Sequence, residues 1–248
     1  MKIRFLGTSH GAAEKDAKCT SVILETNGFF YIIDTGTCVN EYMMANGLDT
    51  TKIRGIFITH MHEDHIGKIS SLLKLMTTYK TSVRATYVFP EDEAPDGVEA
   101  WLKLLHSRPL DHNRLPFLVA KNGEVVYSDE NLKVTAIKTD HIANADTYGY
   151  LFECEGKRII FTGDLTPDLH DYPEIISTEG VDVVVTELCH YFKTSYFVEG
   201  SIEKLRSSKT GRIIFSHKYP GGPEAMLSIA DTFSFPIDVA NDNDIFEI

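Results

Sequence analysis

Three histidines and an aspartate fall within six consecutive positions of this chain, His60-Met61-His62-Glu63-Asp64-His65. The cluster follows the apolar run Gly55-Ile56-Phe57-Ile58. It precedes a stretch with Ile66, Ile69, Leu72, Leu73 and Met76 at helical spacing. A strand must therefore hand over to a helix at the cluster, and such junctions are where α/β folds place ligand sites. In extended backbone His60 and His62 leave on one side, because strand side chains alternate with a period of two. Asp64 and His65, at the turn into the helix, can reach back to the same volume. Neutral imidazole and carboxylate are donors that zinc, iron and manganese accept. The plain alternative is a polar turn of self-satisfied histidines. Chance expects the pattern only about 0.001 times in a chain of this composition.

The flanking sequence predicts short strands at residues 2–7, 21–26, 29–34, 54–60 and 85–89, with Asn27-Gly28 as a type I′ hairpin turn. Helices are expected at 66–79 and 97–106. Residues 107–122, with Pro109 and Pro116, read as irregular. Further strands are expected at 132–139, 148–154, 157–162, 181–188 and 212–216. Helices are expected at 201–207 and 223–233, before two short C-terminal strands. No linker, repeat or low-complexity tract divides the sequence, so residues 1–248 read as one α/β (α+β) domain. Hairpins mixed with βα units argue against a purely parallel sheet.

Composition narrows the function classes. Lys plus Arg is 24 and Asp plus Glu is 36, a net charge of −12, and 43% of residues are hydrophobic. Disordered, collagen-like and disulfide-rich chains do not look like this, and the acidic balance weighs against a nucleic-acid partner. Cys19, Cys38, Cys154 and Cys189 form no Cys-x-x-Cys pair, which argues against a zinc ribbon or thioredoxin site. Neither a signal-peptide pattern nor a membrane-length apolar run is present, so the expected compartment is the cytoplasm and no membrane partner is expected. The sequence is silent on oligomeric state.

His60-x-His62-x-Asp64-His65 after an apolar strand resembles the signature of the metallo-β-lactamase superfamily. Leu6-Gly7-Thr8-Ser9 and Tyr31-Ile32-Ile33-Asp34-Thr35-Gly36 are similar to it as well. The resemblance implies a four-layer αββα sandwich with a dinuclear metal site at its edge. It also implies three further ligands at strand ends: His141 in Thr139-Asp140-His141, Asp164 in Phe161-Thr162-Gly163-Asp164, and His217 in Phe215-Ser216-His217. His60, His62 and His141 would then hold one divalent transition-metal ion, and Asp64, His65 and His217 a second, with Asp164 between them. Zinc is the first expectation, and manganese or iron accepts the same donors. Asp34 is implied as an anchor behind a metal-bound imidazole.

Two such ions lower the pKa of a bridging water and clamp the attacking and leaving oxygens. Asp64 also stands as a catalytic candidate that orients this water. His190, in Thr186-Glu187-Leu188-Cys189-His190, is the candidate general acid. Gly7-Thr8-Ser9 and Tyr148-Gly149-Tyr150 are similar to the tRNase Z and cyclic phosphodiesterase branch. Two features depart from it. Thr186 precedes Glu187 where that branch has a His-Glu pair, and no Gly/Pro-rich arm is present. The expectation is a metal-dependent hydrolase acting on a small anionic substrate, a phosphodiester first. A lactone or thioester hydrolase and an RNA-processing or nucleic-acid-binding module are the alternatives. The basic residues Lys193, Lys204, Arg206, Lys209, Arg212 and Lys218 are candidates to meet a phosphate. His10, after Ser9, falls in a loop that this fold can bring towards the metals, although a histidine so placed is more often a plain loop residue.

Overall fold

Asn27 and Gly28 both take positive φ, 50° and 76°, as a type I′ turn demands. They join β2 (Ser21–Thr26) to β3 (Phe29–Ile33), and β1 (Lys2–Gly7) lies antiparallel on the other side of β2. The computed structural model describes residues 1–188 and 200–248, with the backbone of 192–193 and 196–197. After β3 the chain forms α1 (Val39–Ala45) and β4 (Ile53–Phe57), then α2 (Glu63–Ile66) and α3 (Ile69–Lys74). Strand β5 (Thr86–Phe89), α4 (Ala94–Leu104) and β6 (Phe117–Val119) follow. β3, β4, β5 and β6 pair in parallel.

The second half repeats this plan. Strands β7 (Val125–Ser128), β8 (Leu132–Thr139), β9 (Thr147–Cys154) and β10 (Lys157–Phe161) form an antiparallel meander. Then α5 (Glu174–Thr178) leads to β11 (Val181–Leu188), which pairs in parallel with β10. A two-stranded ribbon, β12 (Phe192–Lys193) and β13 (Tyr196–Phe197), and α6 (Ser201–Arg206) precede β14 (Thr210–Lys218). The chain closes with α7 (Gly222–Ser228), β15 (Ile237–Val239) and β16 (Ile245–Glu247). The sheets run β16-β1-β2-β3-β4-β5-β6 and β15-β14-β11-β10-β9-β8-β7. β16 therefore returns to pair with β1 and ties the C-terminus to the first sheet.

Three apolar clusters stack across these layers. Ile32, Ile56 and Tyr87 of the first sheet meet Met43, Leu72 and Val98 of its helices. Phe5, Phe57, Phe152 and Phe161 fill the space between the sheets. Ile160, Val184 and Phe215 pack under Leu205 and Met226 on the outer face of the second sheet. The expected αββα sandwich is the observed fold.

Several boundaries differ from expectation for local reasons. The helix expected at 66–79 starts at Glu63, where Glu63 and Asp64 favour the first turn. It breaks at Gly67, a weak helix former, and ends in a π-helical turn at Leu75–Tyr79. The segment expected to be irregular contains β6, three residues beside β5, too short for a period-two signal. Helices α1 and α5 and strand β7 were not expected; α1 and α5 are only seven and five residues long, below the length at which helical periodicity stands out.

Candidate metal centre

The carboxyl ends of β3, β4, β8, β10 and β14 converge on one edge of the sandwich, and each carries an expected residue. Two bonds pin the sheets together there. The Tyr150 hydroxyl donates to the Ile58 carbonyl at 2.7 Å, and the Tyr148 N–H donates to the Thr59 carbonyl at 2.9 Å. Gly36 lets the loop after β3 pass beneath α2, since a Cβ on it would lie 1.6 Å from the Asp64 carbonyl oxygen. The Thr35 N–H donates to the His65 carbonyl at 2.6 Å in the same crossing. Asp34 and His217 adopt φ of 60° and 47°, a left-handed conformation that costs non-glycine residues and gathers at functional sites.

Seven expected side chains meet at this edge. His60 Nε2 lies 3.0 Å from His62 Nδ1, which is 3.4 Å from His141 Nε2. Asp64 Oδ2 lies 3.4 Å from His65 Nε2 and 3.0 Å from His217 Nε2. Asp164 stands between the two triads. Its Oδ1 is 3.4 Å from His65 Nε2, and its Oδ2 is 3.5 Å from His217 Nε2, 3.6 Å from His141 Nε2 and 4.0 Å from His60 Nε2. Donors at about 2.0–2.1 Å around one tetrahedral ion sit about 3.3 Å apart, so these spacings suit a divalent metal. The chemistry of the donors agrees. His65 Nε2 and Asp164 Oδ1 are buried without a hydrogen-bond partner among the described residues, a costly state that a metal ion would relieve. The side-chain sets His60/His62/His141, His60/His65/Asp164, Asp64/His65/His217 and Asp164/Glu187/His217 each bring their donors within 4.8 Å of one another.

The surroundings fix ring orientations. Asp34, buried behind the site, accepts from the Thr59 N–H at 2.8 Å and hydroxyl at 2.9 Å, and from His65 Nδ1 at 2.8 Å. His65 must then carry its proton on Nδ1 and present Nε2 to the centre. Burial holds His60 well below the ordinary imidazole range, with its charged neighbour His65 adding to the effect. Burial works against a charge on His65 too. There the Asp164 and Asp34 carboxylates outweigh it and raise the imidazole well above its ordinary value. Burial likewise opposes ionisation of Asp64 and Asp164. A hydrogen bond from His217 and the nearby His65 ring keep Asp64 low, and the charges of the same two rings keep Asp164 low.

Glu187 was not among the expected site residues. It is buried in β11, accepts from the Leu165 N–H at 2.5 Å, and brings Oε2 to 3.9 Å from His217 Nδ1. It thus braces the loop that carries Asp164 and stands behind His217. The visible signal was a lone acid ending the buried run Val183-Val184-Val185-Thr186-Glu187. His190 lies outside the described residues. The basic residues expected to meet a phosphate are engaged elsewhere. Lys204 donates to the Leu169 carbonyl, Lys209 to the Thr178 carbonyl and Lys218 to Asn241, while Arg206 reaches Thr232 and Arg212 pairs with Asp238. Lys193 lies among the residues whose side chains are not described.

The site opens through a recess of about 260 Å³ lined by His10, Gly11, His62, Asp64, His141, Asp164 and His217. Beside it, a second groove carries Glu91, Asp92, Glu93, Asp140 and Asp146 around Lys138. No described helix is long and apolar enough to cross a membrane.

The family model described as "Anti-Pycsar protein Apyc1" matches residues 1–209. The chain belongs to this family. The match includes six of the seven clustered donors and stops before His217. A ribonuclease Z of Methanocaldococcus jannaschii is 27% identical over 153 residues, covering 62% of this chain and 47% of its own length. The chain thus spans about half the length of the ribonuclease Z relatives it matches. Two solved structures share the fold of this chain. The metallo-β-lactamase fold protein YhfI of Bacillus subtilis superposes with a TM-score of 0.75 at 15% identity, covering 100% of this chain and 99% of its own. The short form of human tRNase Z gives 0.74 at 17% identity, again covering 100% and 99%.

Proposed function

We propose that this Apyc1-family chain is a dinuclear metal-dependent hydrolase of a small phosphodiester, such as a cyclic nucleotide. One observation carries the reading: two triads of metal donors share Asp164 between them. His60, His62 and His141 would hold one divalent ion, and Asp64, His65 and His217 the other, with Asp164 bridging. Zinc is the first expectation; manganese or iron fits the same N/O donors. Ions bound there supply an activated water and positive charge for the oxygens of the reacting phosphorus.

The chain's own residues do the rest. Asp34 and Thr59 hold His65 in the tautomer whose Nε2 faces the centre. Asp64 would also accept a hydrogen bond from the attacking water and so aim it. A leaving group that needs a proton also needs a general acid, the role for which the sequence offers His190. The name ribonuclease Z, carried by the relatives, denotes cleavage of phosphodiesters in RNA, which favours phosphorus over a lactone or thioester carbonyl. The acidic groove beside His141 repels a long polyanion, which favours a small substrate over structured RNA.

The test joins metal content to a substrate panel. Elemental analysis of the reconstituted protein should find close to two transition-metal ions per chain, and Asp164→Ala should lose at least one. The loaded protein should cleave bis(p-nitrophenyl) phosphate or a cyclic nucleotide and leave precursor tRNA largely intact. Good turnover of lactones or thioesters with every phosphodiester untouched would replace the reading, and efficient cleavage of precursor tRNA would move it to RNA processing.

A further inference from the structure

Among the described residues lining the recess, His10 is the titratable side chain with no part in the donor set. The connection that carries it, residues 8–20, is held at many points. The Thr8 hydroxyl donates to Asp242 at 2.9 Å, and the Lys18 N–H donates to the other oxygen of the same carboxylate at 2.9 Å. The Ser9 N–H donates to the Lys18 carbonyl at 2.8 Å, and the Ser9 hydroxyl to the Ala12 carbonyl at 2.6 Å. The Lys218 N–H donates to the Thr8 carbonyl at 2.7 Å, one residue beyond His217. Glu14 and Ala17 close the outer end through paired backbone bonds.

The product of this bracing is a fixed imidazole. His10 packs against the Tyr219 ring, centroids 4.7 Å apart and planes tilted by 50°. Its Nε2 lies 3.2 Å from Glu14 Oε1. A carboxylate only accepts, so Nε2 carries a hydrogen, and this pair leaves Nδ1 uncommitted. His10 lines that recess together with five of the clustered donors, His62, Asp64, His141, Asp164 and His217. The same sequence has no His-Glu pair where β11 ends, only Thr186-Glu187. His10 and Glu14 form a His–Glu pair four residues apart.

We propose that His10, positioned by Glu14 and Tyr219, is a catalytic general acid for the leaving oxygen. This rests on the phosphodiesterase reading above. As the bond from phosphorus to the leaving oxygen breaks, the Nδ1 proton of the His10 imidazolium passes to that oxygen. The ring is left neutral, with its Nε2–H still donated to the Glu14 carboxylate, and solvent restores the proton after product leaves.

The experiment compares two phosphodiesters on the metal-loaded protein. Bis(p-nitrophenyl) phosphate expels nitrophenolate, which needs no proton, whereas a nucleoside 3′,5′-cyclic monophosphate expels a sugar alkoxide, which does. His10→Ala and His10→Gln should each lose about 10²–10⁴-fold on the cyclic nucleotide and only a few-fold on the nitrophenyl ester. Glu14→Gln should show the same selectivity with a loss of no more than about fivefold, because the pair is partly exposed. Metal content and the melting curve confirm that each variant folds. A readout independent of turnover is the His10 ring resonance, which should move when a nucleoside monophosphate is added. Equal losses on both esters, rescue by His10→Gln, or a selective loss seen only in His190→Ala would overturn the assignment while leaving the phosphodiesterase reading in place. A wild-type protein that cleaves neither ester removes the reading and the assignment together.

Discussion

Asp34→Asn tests the centre with almost no change in shape. The carboxylate accepts three bonds, one oxygen from the Thr59 N–H and the other from the Thr59 hydroxyl and His65 Nδ1. An asparagine amide meets this arrangement badly in either orientation. With its oxygen towards the Thr59 N–H, its NH2 group faces His65 Nδ1 and drives the imidazole proton to Nε2, which then has no lone pair for a metal. Flipped, it saves His65 but sets an NH2 against the Thr59 N–H. A lost partner of this kind behind a metal-bound imidazole costs about 10–100-fold in affinity, or about 1.4–2.7 kcal/mol. The flipped state leaves a buried donor unpaired, at about 1–3 kcal/mol, so relaxation by flipping gains little. The assay is titration of the metal-free variant with Zn²⁺ by calorimetry, with elemental analysis after dialysis. Zn²⁺ binding at the site proposed for Asp64, His65 and His217 should weaken by at least tenfold, while binding proposed for His60, His62 and His141 changes less. Wild-type affinity for both ions would refute the claim that Asp34 sets the His65 tautomer.

Two further outcomes follow from the same residues. With metal removed, His65, raised above its ordinary 6.5, stabilises the fold below that pH and loses the contribution as pH rises through its folded value. His60, lowered below 6.5, acts oppositely and loses stability as pH falls. The melting temperature of the metal-free protein should therefore peak near 6.5, whereas apparent metal affinity should keep rising with pH, because the ion displaces the His65 proton; a metal-free melting temperature that climbs steadily from pH 6.5 to 8 contradicts this. Gly36→Ala should abolish metal retention or soluble expression, because its Cβ would sit on the Asp64 carbonyl oxygen; an alanine variant with full metal content would show that the crossing under α2 can widen.

Some of this protein was written in short stretches of sequence. The His60–His65 cluster needs only a period-two strand and the start of a helix to gather its donors, so local spacing determined it. Asn27-Gly28 fixed its hairpin for the same reason, since few residues tolerate positive φ in succession. His141, Asp164 and His217 stand alone in sequence, and only resemblance selected them from the other histidines and aspartates. Folding brings them together because β8, β10 and β14 run in the same direction and end at one edge. The partners of the basic residues were likewise invisible, since each finds an acceptor on an element far away in sequence. The same holds for Glu187 behind His217 and for the Glu14 and Tyr219 partners of His10. A side chain's neighbours across two stacked sheets depend on register and layer packing, and neither leaves a mark on the residues immediately beside it.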